Sequence, residues 1–210
     1  MSAKINFKFL IIVIFMFALS FLGADSSSKN LAVAKGKVIE GDSHDYEVRK
    51  VSQDGMITLQ VLDTSSKLIW KSEEIGSEEK KFTIGGKAES LFLKDISKDG
   101  IPEIVTAAFY GPRASALYIF SYSSKTKSFE PIKCRFPKDG LVRDFVVSDI
   151  FQENGSDILF ESDEKLKILG MIYPDDPEKA PTEGVYFFAF QNGEFIHTKT
   201  EPVLKENGNR

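Results

Sequence analysis

An all-β, antiparallel fold of blade-like repeats is the class this sequence predicts, as a small or partial propeller, with a β-sandwich as the second architecture. Three observations carry it. Short runs of alternating apolar and polar residues are separated by Gly, Asn, Asp and Ser turns, and 18 Phe and 6 Tyr beside one Trp suit half-buried strands. Helix caps followed by a 3.6-residue period are absent beyond the first thirty residues. Finally, one pattern recurs about a blade-length apart: an apolar strand, an acidic Gly loop, a second strand and a hairpin.

The first residues follow a different logic. Lys4 and Lys8 precede an unbroken apolar run over 9–19, and Ser20, Gly23 and Ala24 follow it. That order is a secretory signal peptide over 1–24, and the run is shorter than the ~20 apolar residues a membrane helix needs. A secreted or periplasmic chain with no membrane span after cleavage is expected. Residues 25–30 form a polar, Ser-rich lead expected to be disordered, and 31–210 one domain of three or four blade-like units, a monomer. The net charge of −4 and the lack of a basic stripe argue against a nucleic-acid partner.

Along the domain, 31–39 alternates as a first strand and 46–51 as a second, closed by Asp54 and Gly55. Ile57, Leu59 and Val61 alternate into a hairpin whose loop is 63–67 and whose return is Leu68, Ile69 and Trp70. The charge run 73–81 reads as a solvated loop, and 82–84 as a short strand before Gly85 and Gly86. Residues 90–95 and 103–105 are strands around the first acidic loop; 117–122 returns through 128–132 as a hairpin. Residues 144–149 and 157–159 repeat the first pair, and 185–190 with 193–196 repeats the hairpin. Between them, 172–181 is a Pro-rich insert. Cys134, the only cysteine, cannot form an internal disulfide, and alternation over 132–136 places it in a strand.

The stretch 95–103 packs oxygen ligands into a tight turn between two apolar strands. In a loop that winds once around a hard cation, positions 1, 3 and 5 point side-chain oxygens inward, Gly makes the bend at 6, a carbonyl serves at 7, and a later carboxylate closes the shell. Those places hold Asp95, Ser97, Asp99, Gly100, Ile101 and Glu103. The place an EF-hand reserves for its closing Glu falls on Thr106, and strands flank the loop, so it is not an EF-hand. A carboxylate at the ninth place resembles the D-x-N-x-D-G-x-x-D loop of FG-GAP and VCBS repeats, the units of integrin-α-type propellers. That resemblance covers about ten residues closely, with Ser97 in place of Asn or Asp and Glu103 in place of Asp. It implies a structural Ca²⁺ ion held by Asp95, Ser97, Asp99 and Glu103 side chains and the Ile101 carbonyl, with affinity toward the weak extracellular range of roughly 10⁻⁴ to 10⁻³ M. In the second copy Asp149, Glu153 and Asp157 keep their places, while Phe151 and Asn154 replace an oxygen ligand and the Gly.

Catalytic chemistry has little to stand on. Gly41, Asp42 and Ser43 spell the first block of GDS-type esterases, which would pair Ser43 with His197, but the other blocks and the helices of that fold are missing. Neither a phosphate loop nor a zinc motif occurs. The expected function is therefore an exported, non-catalytic module that recognises a protein or glycan. Tyr110 and Arg113, in a loop joining two strands, and Tyr173, beside Pro174, are the candidate partner-binding residues, since aromatic residues and Arg concentrate at binding hot spots. An alternative is an exported inhibitor of a cell-wall hydrolase such as lysozyme, with the 110–115 loop entering a cleft.

Overall fold

The computed structural model describes residues 28–150, 152, 154–162 and 164–203. The signal segment expected at 1–24 lies outside them. Every element among the described residues is a strand, arranged in three sheets. The sheets are antiparallel apart from two short parallel contacts.

The first sheet is a meander of β1 (Lys29–Gly36), β2 (Tyr46–Gln53), β3 (Met56–Leu62) and β4 (Leu68–Lys71). β1 starts inside the segment expected to be a disordered lead. Asp54 and Gly55, at φ 53° and 78°, make the two-residue turn between β2 and β3. Both torsions match the right-handed twist of a hairpin, which is what an Asp-Gly pair supplies.

In the second sheet β9 (Glu103–Phe109) and β10 (Ser115–Ser123) pair along most of their length. Short strands cover their outer edges end to end. β8 (Leu91–Lys94) and β5 (Glu78–Lys80) lie along β9, and β11 (Ser128–Pro131) and β14 (Val146–Ser148) along β10. The third sheet runs β13 (Leu141–Arg143), β12 (Cys134–Phe136), β18 (Glu194–Pro202), β17 (Thr182–Gln191), β16 (Lys165–Ile172), β15 (Ile158–Ser162), β6 (Phe82–Ile84) and β7 (Lys87–Glu89). Three four-stranded meanders thus follow each other in the chain: β1–β4, β8–β11 and β15–β18.

Period-2 alternation along β9 and β10 explains how these sheets stack. Ile104, Ala108 and Phe120 join Val48, Leu59 and Val61 of the first sheet in one buried cluster. Val105, Ala107, Leu117 and Ile119, pointing the other way, join Ile158, Leu166, Ile168 and Phe195 of the third sheet in another. The second sheet is therefore the middle layer, apolar on both faces. Gly76 lets the first two sheets meet at their edge. It bridges Ile57 of β3, and a Cβ there would fall 2.4 Å from the Phe109 carbonyl oxygen of β9.

Two expectations need correcting. The charge run 73–81 is not a solvated loop throughout: its end forms β5, and Lys80 is 1% exposed. The repeat suggested that β14 belongs with β15, as β8 belongs with β9. Instead β14 pairs with β10 of the middle sheet, because Val146 fills the cluster shared by the second and third sheets.

Two buried lysines tie the layers together. Lys50 of β2, 0% exposed, reaches into the middle sheet and donates to the Ala107 carbonyl (2.6 Å), the Ser90 hydroxyl (2.8 Å) and the Ser90 carbonyl (3.3 Å). Lys80 of β5 donates to Asp157 Oδ1 and to the Gln152 carbonyl, each at 2.5 Å, with its ammonium 5.3 Å from the centre of the Phe109 ring. Asp157 precedes β15 and is 0% exposed, so this ion pair joins the second and third sheets in their interior.

Candidate functional site

The 95–103 loop connects β8 to β9 at the margin of the middle sheet. Ile96 is fully buried in the cluster shared with the third sheet and anchors the loop. Gly100, at φ 88°, supplies the reversal that brings the chain back to β9. Glu103, the first residue of β9, is 1% exposed, and its Oε2 accepts the Ile96 amide at 2.6 Å. The Gly100 amide donates to Asp95 Oδ2 (3.0 Å) and the Ile101 amide to Asp99 Oδ1 (2.8 Å).

The remaining oxygens matter more. Asp95 Oδ1, Ser97 Oγ and Glu103 Oε1 are buried and have no hydrogen-bond partner of ordinary geometry. Native proteins leave few such groups, because an unsatisfied buried oxygen carries the cost of its lost hydration. Three of them on one short loop call for a common partner, and a hard cation satisfies carboxylate and hydroxyl oxygens alike. Burial raises the pKa of Glu103, against the opposing pull of the Ile96 amide and of Ser97. Asp99 is exposed. Among the described residues no three His, Cys, Asp or Glu side chains form a metal-holding group. On this loop the inward oxygens without partners come from two carboxylates and a serine.

The second acidic loop is filled differently. Asp149 accepts the Met171 amide (2.7 Å) on Oδ1 and the Tyr173 hydroxyl (3.2 Å) on Oδ2, so it is committed to β16 and the chain beyond it. Asp157 takes the ammonium of Lys80 on Oδ1, and its Oδ2 is one further buried oxygen without a partner among the described residues. Phe151 and Glu153 lie outside the described residues.

The three candidate partner-binding residues sit around Asp149 and the neighbouring Phe145. Arg113 is exposed on the β9–β10 loop and lines a shallow hollow with Asp149, Met171 and Glu183. Tyr173, 68% exposed, stands at the mouth of a cleft of about 610 Å³ between β14, the β12–β13 hairpin and β16–β18. Its bond to Asp149 raises its pKa. The cleft also holds Arg143, Phe136, Tyr186 and His197. Tyr110, 49% exposed, turns instead toward Phe145, with ring centres 6.2 Å apart. Arg113 and Tyr173 thus share Asp149, whereas Tyr110 belongs to the next surface.

Sequence reasoning missed this cleft because its walls come from six separate strands. The signal that could have found it is the glycine of β16. At Gly170 a Cβ would fall 3.0 Å from the Tyr186 ring and 3.3 Å from Asp149 Oδ1.

Ser43 and His197 are not brought together. Ser43 lies in the loop between β1 and β2, and His197 lies in β18 of the third sheet, its Nε2 2.8 Å from Thr200 Oγ1. Its ring stacks on Phe136 and touches Tyr186 and Phe188, and burial lowers its pKa. Asp42 serves His44 and Tyr46, which hold its carboxyl down at about 2. Cys134 is buried and its thiol is pushed up to about 12, so the thiolate needed by a nucleophile is not formed at neutral pH.

No family model, curated protein or solved structure matches the chain.

Proposed function

We propose that this chain is an exported, non-catalytic binding module whose β8–β9 loop takes a Ca²⁺ ion. The supporting observation is the trio of buried oxygens of Asp95, Ser97 and Glu103 on one loop that lack a hydrogen bond of ordinary geometry. Asp99 and the Ile101 carbonyl complete the ligand set that the FG-GAP/VCBS resemblance implies. An ion there would clamp the start of β9 to the end of β8 and would perform no chemistry. Export rests on the residue order of 1–24, and recognition on the cleft and loops carrying Arg113 and Tyr173.

Thermal unfolding of the chain in millimolar CaCl₂ and in chelator tests the ion. A ligand at 100 times its dissociation constant that binds only the folded state adds about 2.7 kcal/mol, or roughly 5–10 °C for a chain of this size. The midpoint should rise in the wild type and stay put in the Asp95→Ala/Asp99→Ala double variant. Equal midpoints with and without Ca²⁺ in the wild type would overturn the site.

The exposed Arg113 at the tip of the β9–β10 loop also suits the hydrolase-inhibitor reading, because a guanidinium can reach cleft carboxylates in a bidentate fork. A lysozyme assay decides it: inhibition lost in Arg113→Ala supports that reading, and no inhibition by the wild type removes it.

A further inference from the structure

Between the first and middle sheets a groove of about 450 Å³ runs along β4 and the chain just after it. Its floor is a row of aromatic rings. Tyr118 and Phe120 lie two apart on one face of β10 and stack nearly parallel at 6.1 Å. Trp70 of β4 packs 5.4 Å from Phe120 and 5.1 Å from Phe129, and Phe145 packs 5.2 Å from Tyr118. Tyr110 prolongs the row beyond Phe145. Such rings offer negative π-faces.

Its rim is acidic. Glu73, Glu74 and Asp144 line it against the single cation Lys71. Asp144 is bridged by Lys133, but Glu73 and Glu74 are exposed and form no ion pair among the described residues. Uncommitted carboxylates in one groove with aromatic rings are complementary to a cationic side chain, which gains from both the rings and the charges. The groove also follows an open sheet edge, since among the described residues β4 pairs with β3 alone. An unpaired edge accepts an extended chain as an additional strand, and Leu68 and Ile69, about half exposed, give its side chains apolar neighbours.

We propose that this groove binds an extended basic peptide segment, with an arginine or lysine lying against the Trp70–Tyr118–Phe145 row within reach of Glu73 and Glu74 and its main chain along β4. The proposal rests on the binding-module reading and names the class of partner. It does not depend on the ion, and no residue of the 95–103 loop lines the groove, so a failure here and a failure of the Ca²⁺ site are read from separate experiments.

Trp70 is the only tryptophan in the chain, so its emission reports the groove directly. The full chain is titrated with a short capped peptide alternating valine with arginine, with its uncharged citrulline counterpart, and with cellopentaose. The arginine peptide should give a saturable emission change and the citrulline peptide should bind at least ~10-fold more weakly, a difference of about 1.4 kcal/mol. Glu73→Gln/Glu74→Gln should weaken the arginine peptide about 10-fold without moving the thermal midpoint, as expected of exposed carboxylates. Raising ionic strength from about 0.01 to about 1 M should weaken it further. No saturable change with the arginine peptide, equal binding of the two peptides, an unaffected double variant, or a response to cellopentaose alone would each overturn the proposal.

Discussion

Lys50 is a buried cation whose hydrogen bonds all go to uncharged oxygens of the middle sheet. Burial pulls its pKa from 10.5 down to about 8, so at neutral pH the ammonium persists. The unfolded chain keeps its proton up to about pH 10.5. Between those values the unfolded state binds more protons than the folded one, so the contribution of Lys50 to stability rises with pH across that window. Relative to a Lys50→Met variant, denaturant unfolding of the wild type should gain up to about 3 kcal/mol from pH 8 to 10.5. A constant difference would show that the residue does not titrate there. Lys80 and Asp157 behave as a closed pair. Lys80→Met leaves a carboxylate buried and uncompensated, and should cost about 3–5 kcal/mol in urea unfolding. Adding Asp157→Leu should restore most of that loss, and a double variant no better than the single would refute the pairing.

At the scale of elements, the strands most readily legible in the sequence were those whose pattern is local. The hairpin across Asp54 and Gly55 and the turn at Gly85 and Gly86 follow from alternation bounded by residues that tolerate positive φ. Legibility failed where the deciding contact is distant. Residues 73–81 carry the composition of a solvated loop, and distant partners, the β9 edge and Asp157, 77 positions beyond Lys80, turn part of that run into an interior strand. The parallel contacts of β6 with β15 and β12 with β18 left no local trace for the same reason. Within the candidate site, the order of oxygen-bearing residues from Asp95 to Glu103 was visible. Which of those oxygens lack partners was not, because it depends on how Glu103 turns under the Ile96 amide. Gly76 makes an element-scale prediction. Gly76→Ala sets a methyl against backbone and should destabilise by about 1–3 kcal/mol, as overpacking does, measured by the urea midpoint. An unchanged midpoint would mean that the edge between the first two sheets can yield.

The whole molecule is a stack in which one sheet belongs to two cores. Since β9 and β10 contribute to both buried clusters, neither outer sheet can lose its packing without exposing the middle one. Leu59→Ala in one cluster and Ile168→Ala in the other should each cost about 2–5 kcal/mol. Both should lower the same single transition, followed by circular dichroism and by Trp70 emission. Transitions that separate between those two signals would mean that the first sheet unfolds by itself.

The placement of Lys80 also bears on how the chain can be made. Its counter-charge is synthesised 77 residues later, and β6, which adjoins it in the sequence, finds its partner β15 only then. A nascent chain that has emerged through β11 can assemble the β1–β4 meander and the β8–β11 meander. In that state Lys80 stands on the open rear face of the middle sheet, without the Asp157 carboxylate that it meets in the finished fold. Folding that starts from the N-terminus is therefore incomplete until the last third docks, because the rear face of the middle sheet stays open without it. The last third then closes that face and pairs the lysine with Asp157.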